Sequence, residues 1–252
     1  MKSKVLLICL IIVFQTAVSQ KITESPERFG EPHVLKVDSN INLVSFGSVV
    51  IFGNDFFPSS FMIESVDKVV FIDPVVVDSI KKADYIFITH GHSDHFSIKD
   101  INKIVKDSTL IICPKGVAKK LEGYNYRVAK PGDKLEFGSV ICETYPSYSL
   151  GFPSHPKKSG FLSYVINVDG VRFFHPGDSD LIPELQGIKK IDVAMIPIDG
   201  GNLTMATEEA TKLINTIKPK KAIPMHYLIN KGKTAPFRRL VNKSIEVIIF
   251  EE

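Results

Sequence analysis

The chain has 252 residues, 44% of them apolar, with 31 basic and 28 acidic side chains and a formal net charge of +3. That length allows one sizeable domain with a buried core, and the composition is neither disordered nor fibrous. Basic residues come as short scattered pairs (Lys157-Lys158, Lys189-Lys190, Arg238-Arg239), which argues against a nucleic-acid-binding surface, since that needs clustered positive charge.

At the N-terminus, Lys2 and Lys4 precede an apolar run from Val5 to Phe14, and Ala17-Val18-Ser19 offers small residues where a signal peptidase reads. This is the pattern of a secretory signal, and the run is too short for a comfortable membrane span. We expect residues 1–19 to be removed and a single domain, residues 20–252, to act in the periplasm or outside the cell, with no stable membrane span. Retention of the segment as an anchor is the alternative. Cys9 would leave with the signal; Cys113 and Cys142 sit in apolar runs and are expected as buried free thiols, although an exported protein could pair them.

Residues 21–37 form a polar lead-in with Pro26 and Pro32. Apolar, β-prone runs predict strands at 41–46, 48–52, 60–64 and 69–72, the last ending at Asp73-Pro74. A short connection then leads into a buried strand, Tyr85 to Thr89. It runs straight into His90-Gly91-His92-Ser93-Asp94-His95. In extended chain, residues two apart point the same way, so His90 and His92 can present two imidazoles to one metal. Asp94 and His95 lie where the chain turns and can serve a second metal. Placing three imidazoles and a carboxylate in one short loop is costly unless they are paired or metal-bound. A helix follows, with Ser97 as cap and Ile101, Ile104 and Val105 on its apolar face.

Further on, strands are predicted at 109–113, 135–137 and 140–144, with a short helix near 116–121. Residues 145–160 form a long loop rich in Pro, Ser, Gly and Tyr, and it contains His155; long loops in compact domains are often functional. Strands at 161–168 and 171–174 are joined by Asp169-Gly170, a strong hairpin signal, and the second enters His175-Pro176-Gly177-Asp178-Ser179. A buried strand at 191–198, a helix capped by Thr207 and running through Ile217, a short strand at 222–225 leading to His226, a helix at 236–241 and a strand at 245–250 complete the chain.

The run His90-x-His92-x-Asp94-His95 after an apolar strand resembles the signature of the metallo-β-lactamase superfamily. Phe174-His175-Pro-Gly-Asp178-Ser-Asp180-Leu-Ile-Pro-Glu184, Gly200-Gly201-Asn202-Leu-Thr204-Met205 and Pro224-Met225-His226-Tyr227 look like its metal-dependent hydrolase branch, similar to ascorbate-6-phosphate lactonase-like proteins. The usual Thr after the bridging Asp is Ser179 here, and the signal-like segment departs from the branch's bacterial members. The resemblance implies an α/β fold, an αββα sandwich of two mixed β-sheets flanked by helices. It implies that His90, His92 and His155 hold one metal, that Asp94, His95 and His226 hold a second, and that Asp178 bridges them. Asp73 is implied behind the ligands. His175 is expected behind Asp178 or near substrate. Lys157 and Lys158 are expected either as solvated surface or as holders of an anionic substrate group.

The expected cofactor is a pair of divalent ions, Zn²⁺ by default for a His-rich set, with Mn²⁺ or Fe²⁺ also compatible with a bridging carboxylate. The implied activity is metal-dependent hydrolysis of an ester, lactone or phosphoester of a small molecule by a metal-bridged hydroxide, with Asp94 orienting the water. The rival class is an exported metal- or metabolite-binding protein of the same fold without turnover. The natural substrate and the oligomeric state cannot be read from these residues.

Overall fold

Period-two alternation governs the first half of the fold. A computed structural model of the chain describes residues 27–28, 30–51, 53–79, 81–151, 153–201 and 203–250; the expected signal segment lies outside these residues. Among them a seven-stranded mixed sheet runs in the order β10 (Tyr126–Ala129), β9 (Leu110–Pro114), β8 (Tyr85–Phe87), β7 (Val69–Ile72), β6 (Phe61–Glu64), β3 (Asn42–Ser45) and β2 (His33–Lys36). Leu43, Phe61, Ile63, Val70, Ile72, Phe87 and Ile112 face one core, whereas Val44, Met62, Phe71, Ile86, Ile111 and Cys113 face another. Adjacent side chains on a strand point to opposite faces. The central strands β7, β8 and β9 are mostly apolar because both their faces are covered.

A second seven-stranded sheet has the order β11 (Lys134–Phe137), β12 (Val140–Ser147), β13 (Phe161–Val168), β14 (Val171–His175), β15 (Val193–Pro197), β16 (Lys221–Met225) and β18 (Glu246–Val247). Its inward residues, including Val140, Cys142, Tyr164, Ile166 and Phe173, join the first sheet in one shared core. Phe87 and Tyr164 meet across the two sheets with centroids 5.3 Å apart. Fully burying one such side chain contributes ~1.5–3 kcal/mol. A smaller sheet pairs β1 (Glu27–Arg28), β4 (Val49–Ile51), β5 (Asn54–Phe57) and β17 (Tyr227–Leu228).

Helices cover the outside. Helix α1 (Ile98–Ile104) packs Ile101 and Ile104 on the outer face of the first sheet, and Ser97 caps it by accepting from the Asp100 amide. Helix α2 (Lys115–Ala118) and a 3₁₀ turn at Lys119–Leu121 follow β9. Helix α3 (Pro183–Gln186) lies after the Asp178 segment, and α4 (Thr207–Ile217) packs against β15 and α5 (Thr234–Leu240). The layered arrangement expected from the sequence is therefore present: two mixed sheets with helices outside.

Local differences have physical reasons. Strand β2 forms inside the polar lead-in because it pairs as an edge strand with β3, leaving Val34 outside. Thr207 does not cap α4; Ala206 holds the cap position, and Glu209 accepts its N–H at 2.9 Å. The Asp169-Gly170 turn is as expected, with φ of 50° and 92° and Val168 opposite Val171.

Candidate metal centre

The site grows from the C-terminal ends of parallel strands. Strands β7, β8 and β9 run parallel, as do β14, β15 and β16. Asp73 follows β7, the His90–His95 loop follows β8, Asp178 follows β14 and His226 follows β16. Chain reversals at such strand ends leave a crevice for ligands. The Tyr164 hydroxyl donates to the Ile88 carbonyl at 2.7 Å, and Leu162 N–H donates to Thr89 O at 3.1 Å, so the sheets are tied together where the ligand segments leave them.

Within the first loop, His90 and His92 bring their rings together, with centroids 4.6 Å apart. The His92 carbonyl then accepts from the amides of His95 and Phe96, at 3.1 and 2.9 Å. That turn carries Asp94 and His95 away from the first pair. Gly177 has a φ of 59°, and a Cβ on it would meet the Thr89 Cβ at 3.0 Å. Glycine thus lets the Asp178 turn approach the His90 strand closely. His226 also has a positive φ, 51°, a backbone state in which His is enriched. It stands between β16 and β17.

Two groups of four ligand atoms result. His90, His92, His155 and Asp178 form one, and Asp94, His95, Asp178 and His226 form the other; within each, all ligand atoms lie within 4.8 Å of one another. Asp178 belongs to both. Its Oδ2 is 3.5 Å from His155 Nε2, 3.7 Å from His90 Nε2 and 3.3 Å from His226 Nε2, while its Oδ1 is 3.0 Å from His95 Nε2. His226 Nε2 is 3.3 Å from Asp94 Oδ2. All seven sequence-derived ligand candidates therefore converge.

The donor set fits divalent ions. His95 Nε2 and Asp178 Oδ1 are buried and make no hydrogen bond, although only 3.0 Å separates them. Buried polar atoms normally find a partner, and an ion between them would supply one. Charge points the same way. Burial pulls His226 toward neutrality, but Asp178 and Asp94 outweigh it and push its pKa up to about 10. Burial likewise disfavours charge on His95, and Asp178, Asp94 and Asp73 overcome it. The pocket attracts positive charge.

Behind the ligands, Asp73 is fully buried and accepts from Thr89 N–H at 2.7 Å, from the Thr89 hydroxyl at 2.6 Å and from His95 Nδ1 at 2.7 Å. The Thr89 oxygen is also 3.0 Å from His90 Nδ1. One carboxylate thereby fixes the ring orientation of two histidines and leaves both Nε2 atoms for a metal, an arrangement that metal sites use widely. His175 lies behind the Asp178 turn: its Nε2 donates to Ser59 O at 2.9 Å and its Nδ1 accepts from Gly177 N–H at 3.2 Å. Both nitrogens serve the backbone, so its role is to hold that turn.

The lysines differ. Lys157 is paired with Glu184 at 2.6 Å and lies over the Tyr148 ring at 4.7 Å, and Tyr148 itself donates to Glu184 at 3.0 Å. Lys158 is exposed on the same turn. Three contributors were not singled out from sequence. Phe161 packs against His90, His92 and His155, with centroids 5.0, 6.0 and 5.8 Å away. Phe56 sets its edge against His226 at 4.8 Å. Thr89 adjoins the ligand run, and that adjacency was its only signal.

Comparison with known proteins gives the family and the fold. The family model described as a beta-lactamase superfamily domain matches residues 56–226. A metal-dependent hydrolase of Archaeoglobus fulgidus is 31% identical over 227 residues, covering 77% of this chain and 93% of its own. One from Pyrococcus furiosus is 31% identical over 224 residues, with the same 77% and 93% coverage. The crystal structure of a protein from Parabacteroides distasonis, named as a metal-dependent hydrolase, superposes with a TM-score of 0.73 at 29% identity, covering 88% of this chain and 99% of that one. A metallo hydrolase from Ignicoccus hospitalis shares the fold, with a TM-score of 0.62 at 20% identity over 77% of this chain and 92% of its own.

Proposed function

Because the chain belongs to the metallo-β-lactamase superfamily, among its metal-dependent hydrolases, we propose that it hydrolyses an ester, lactone or phosphoester of a small molecule at a centre for two divalent ions. The observation that carries the two-metal reading is Asp178, which belongs to both groups of ligands. When bound, the ions would acidify water and polarise the carbonyl or phosphoryl oxygen of the substrate. Zn²⁺ is the proposed ion, from the imidazole-rich set.

The protein's own residues divide the remaining work. Asp178 would balance charge for both ions when they are bound. Asp94 is part-exposed, 25% at its side chain, and its carboxylate accepts a hydrogen bond from the attacking water and so orients it. Asp73 and Thr89 keep the proton of His95 and His90 on Nδ1, away from the metals. Phe161 and Phe56 pack against the buried imidazoles of His90, His155 and His226 and keep them from bulk water, which strengthens the charge interactions there. Among the described residues no helix is long and apolar enough to cross a membrane. The sequence of residues 1–19 supports export of the domain that follows.

A substrate panel of neutral and anionic esters, lactones and phosphodiesters, run on metal-loaded protein and on Asp178→Ala, tests the proposal. We expect turnover by the parent and loss of both turnover and bound metal in the variant. Full activity in Asp178→Ala overturns the assigned centre. Metal binding without turnover of any member favours the binding-protein alternative.

A further inference from the structure

Exposure around the candidate centre is uneven. His90 and His155 are buried, whereas His92, in the same group, is exposed. The open side of the centre is therefore at His92 and its flanking backbone. Lys120 reaches across this segment from the 3₁₀ turn after α2. Its Nζ donates to the Gly91 carbonyl at 3.2 Å and stands 5.4 Å from the centroid of the Phe96 ring. Gly91 lies between two ligands and Phe96 directly follows a third, so the ammonium is held against the ligand loop itself. No carboxylate among the described residues pairs with it. Lys157, by contrast, is neutralised by Glu184. Lys115 and Lys119 are exposed on the same segment as Lys120 and add to the positive potential there.

We propose that Lys120 is the anion-recognition residue of this centre and selects small substrates carrying a carboxylate or phosphate beside the bond that is cleaved. The proposal rests on the hydrolase reading above. An ammonium has three donors; the Gly91 carbonyl takes one, which fixes the head group while leaving others for an incoming anion. The Phe96 ring stabilises the cation without neutralising it. An anionic group seated on Lys120 would be held against the Gly91 segment, between His90 and His92.

The test compares three 4-nitrophenyl esters of similar length: butanoate (neutral), hydrogen succinate (carboxylate) and 3-phosphonopropanoate (phosphonate). Lys120→Ala should raise KM three- to fivefold for the two anionic esters, the scale of an exposed ion pair. It should leave kcat, the neutral ester and metal content unchanged, because a contact made equally in ground and transition states acts on KM. The larger rise identifies whether carboxylate or phosphate is preferred. Lys120→Arg should recover most of the loss, and added salt should shrink the difference between parent and variant. Equal KM changes for neutral and anionic esters, or loss of metal, would show that Lys120 only straps the ligand loop. A selective KM rise in Lys157→Ala instead would return anion recognition to that lysine. If the parent turns over none of the esters, the ester arm of the hydrolase reading fails separately. Calorimetric binding of the unreactive 4-nitroanilides then decides: weaker binding of the anionic anilides in Lys120→Ala supports the proposal, and unchanged binding overturns it.

Discussion

Asp73→Asn is the substitution that reads the centre's wiring with the least change of shape. The amide keeps an oxygen for the Thr89 N–H, now held at 2.7 Å. Its nitrogen replaces the oxygen that faces the Thr89 hydroxyl at 2.6 Å and His95 Nδ1 at 2.7 Å. The hydroxyl can turn round and accept. His95 cannot: an N–H would face an N–H, and the ring relieves this by moving its proton to Nε2. That atom is 3.0 Å from Asp178 Oδ1, where a lone pair has to meet a metal. Loss of such a supporting carboxylate typically lowers metal affinity 10–100-fold, or ~1.4–2.7 kcal/mol. The effect should fall on the Asp94–His95–Asp178–His226 group, and the His90–His92–His155 group should keep its ion, because the Thr89 contact to His90 at 3.0 Å survives. The metal-free fold should lose ~1–3 kcal/mol from a disturbed buried charge-assisted network. Chelator competition with stepwise metal addition reads the two affinities, and urea unfolding of the metal-free protein reads the second quantity. If both ions bind within threefold of the parent while folding stability still drops, Asp73 supports the fold without setting the tautomer, and the reasoning fails.

Other expectations concern the scaffold. Cys113 and Cys142 are buried and unpaired, with burial pushing the Cys113 thiol up to about 12, so neither should react with a disulfide reagent at pH 8 until urea unfolds the chain; fast labelling of the folded protein would contradict their packing. Asp84 accepts from Val69 N–H at 2.8 Å and from Lys106 at 2.7 Å. Burial alone would raise its pKa, but these bonds outweigh it and hold the carboxyl below 3.8. Its stabilisation is therefore present above the unfolded value and lost as pH falls through the folded one. Asp84→Asn keeps an acceptor for Val69, so it should cost ~1 kcal/mol at neutral pH, with the gap closing only below about pH 4. A gap in urea stability that persists toward pH 3 would rule out this linkage.

Much of this was legible in the residues because it rests on local chemistry. Val69–Ile72 is a strand with the expected bounds, since a four-residue apolar run bounded by polar and turn residues has few alternatives. The His90–His95 loop was readable because its spacing matches extended chain followed by a turn. The missed elements depend on partners distant in sequence. Strand β10 buries only Ala129, leaving Tyr126, Arg127 and Val128 exposed, and it exists by pairing with β9. The four-stranded sheet joins residues 27–28 to 227–228 through β4 and β5, which no window of sequence reveals. The same limit applied at the site. Lys157-Lys158 reads as a basic pair until Glu184 is seen beside the first, and Phe161 is just the start of a strand until it meets three imidazoles.

Metal stoichiometry under native conditions tests the central claim most directly. Native mass spectrometry of protein stripped with chelator and reloaded with Zn²⁺ should show two ions per chain, and Asp178→Ala should retain neither tightly, because that carboxylate belongs to both ligand groups. Saturation of the parent at one ion or fewer, or two ions still held by Asp178→Ala, would contradict the shared-carboxylate centre.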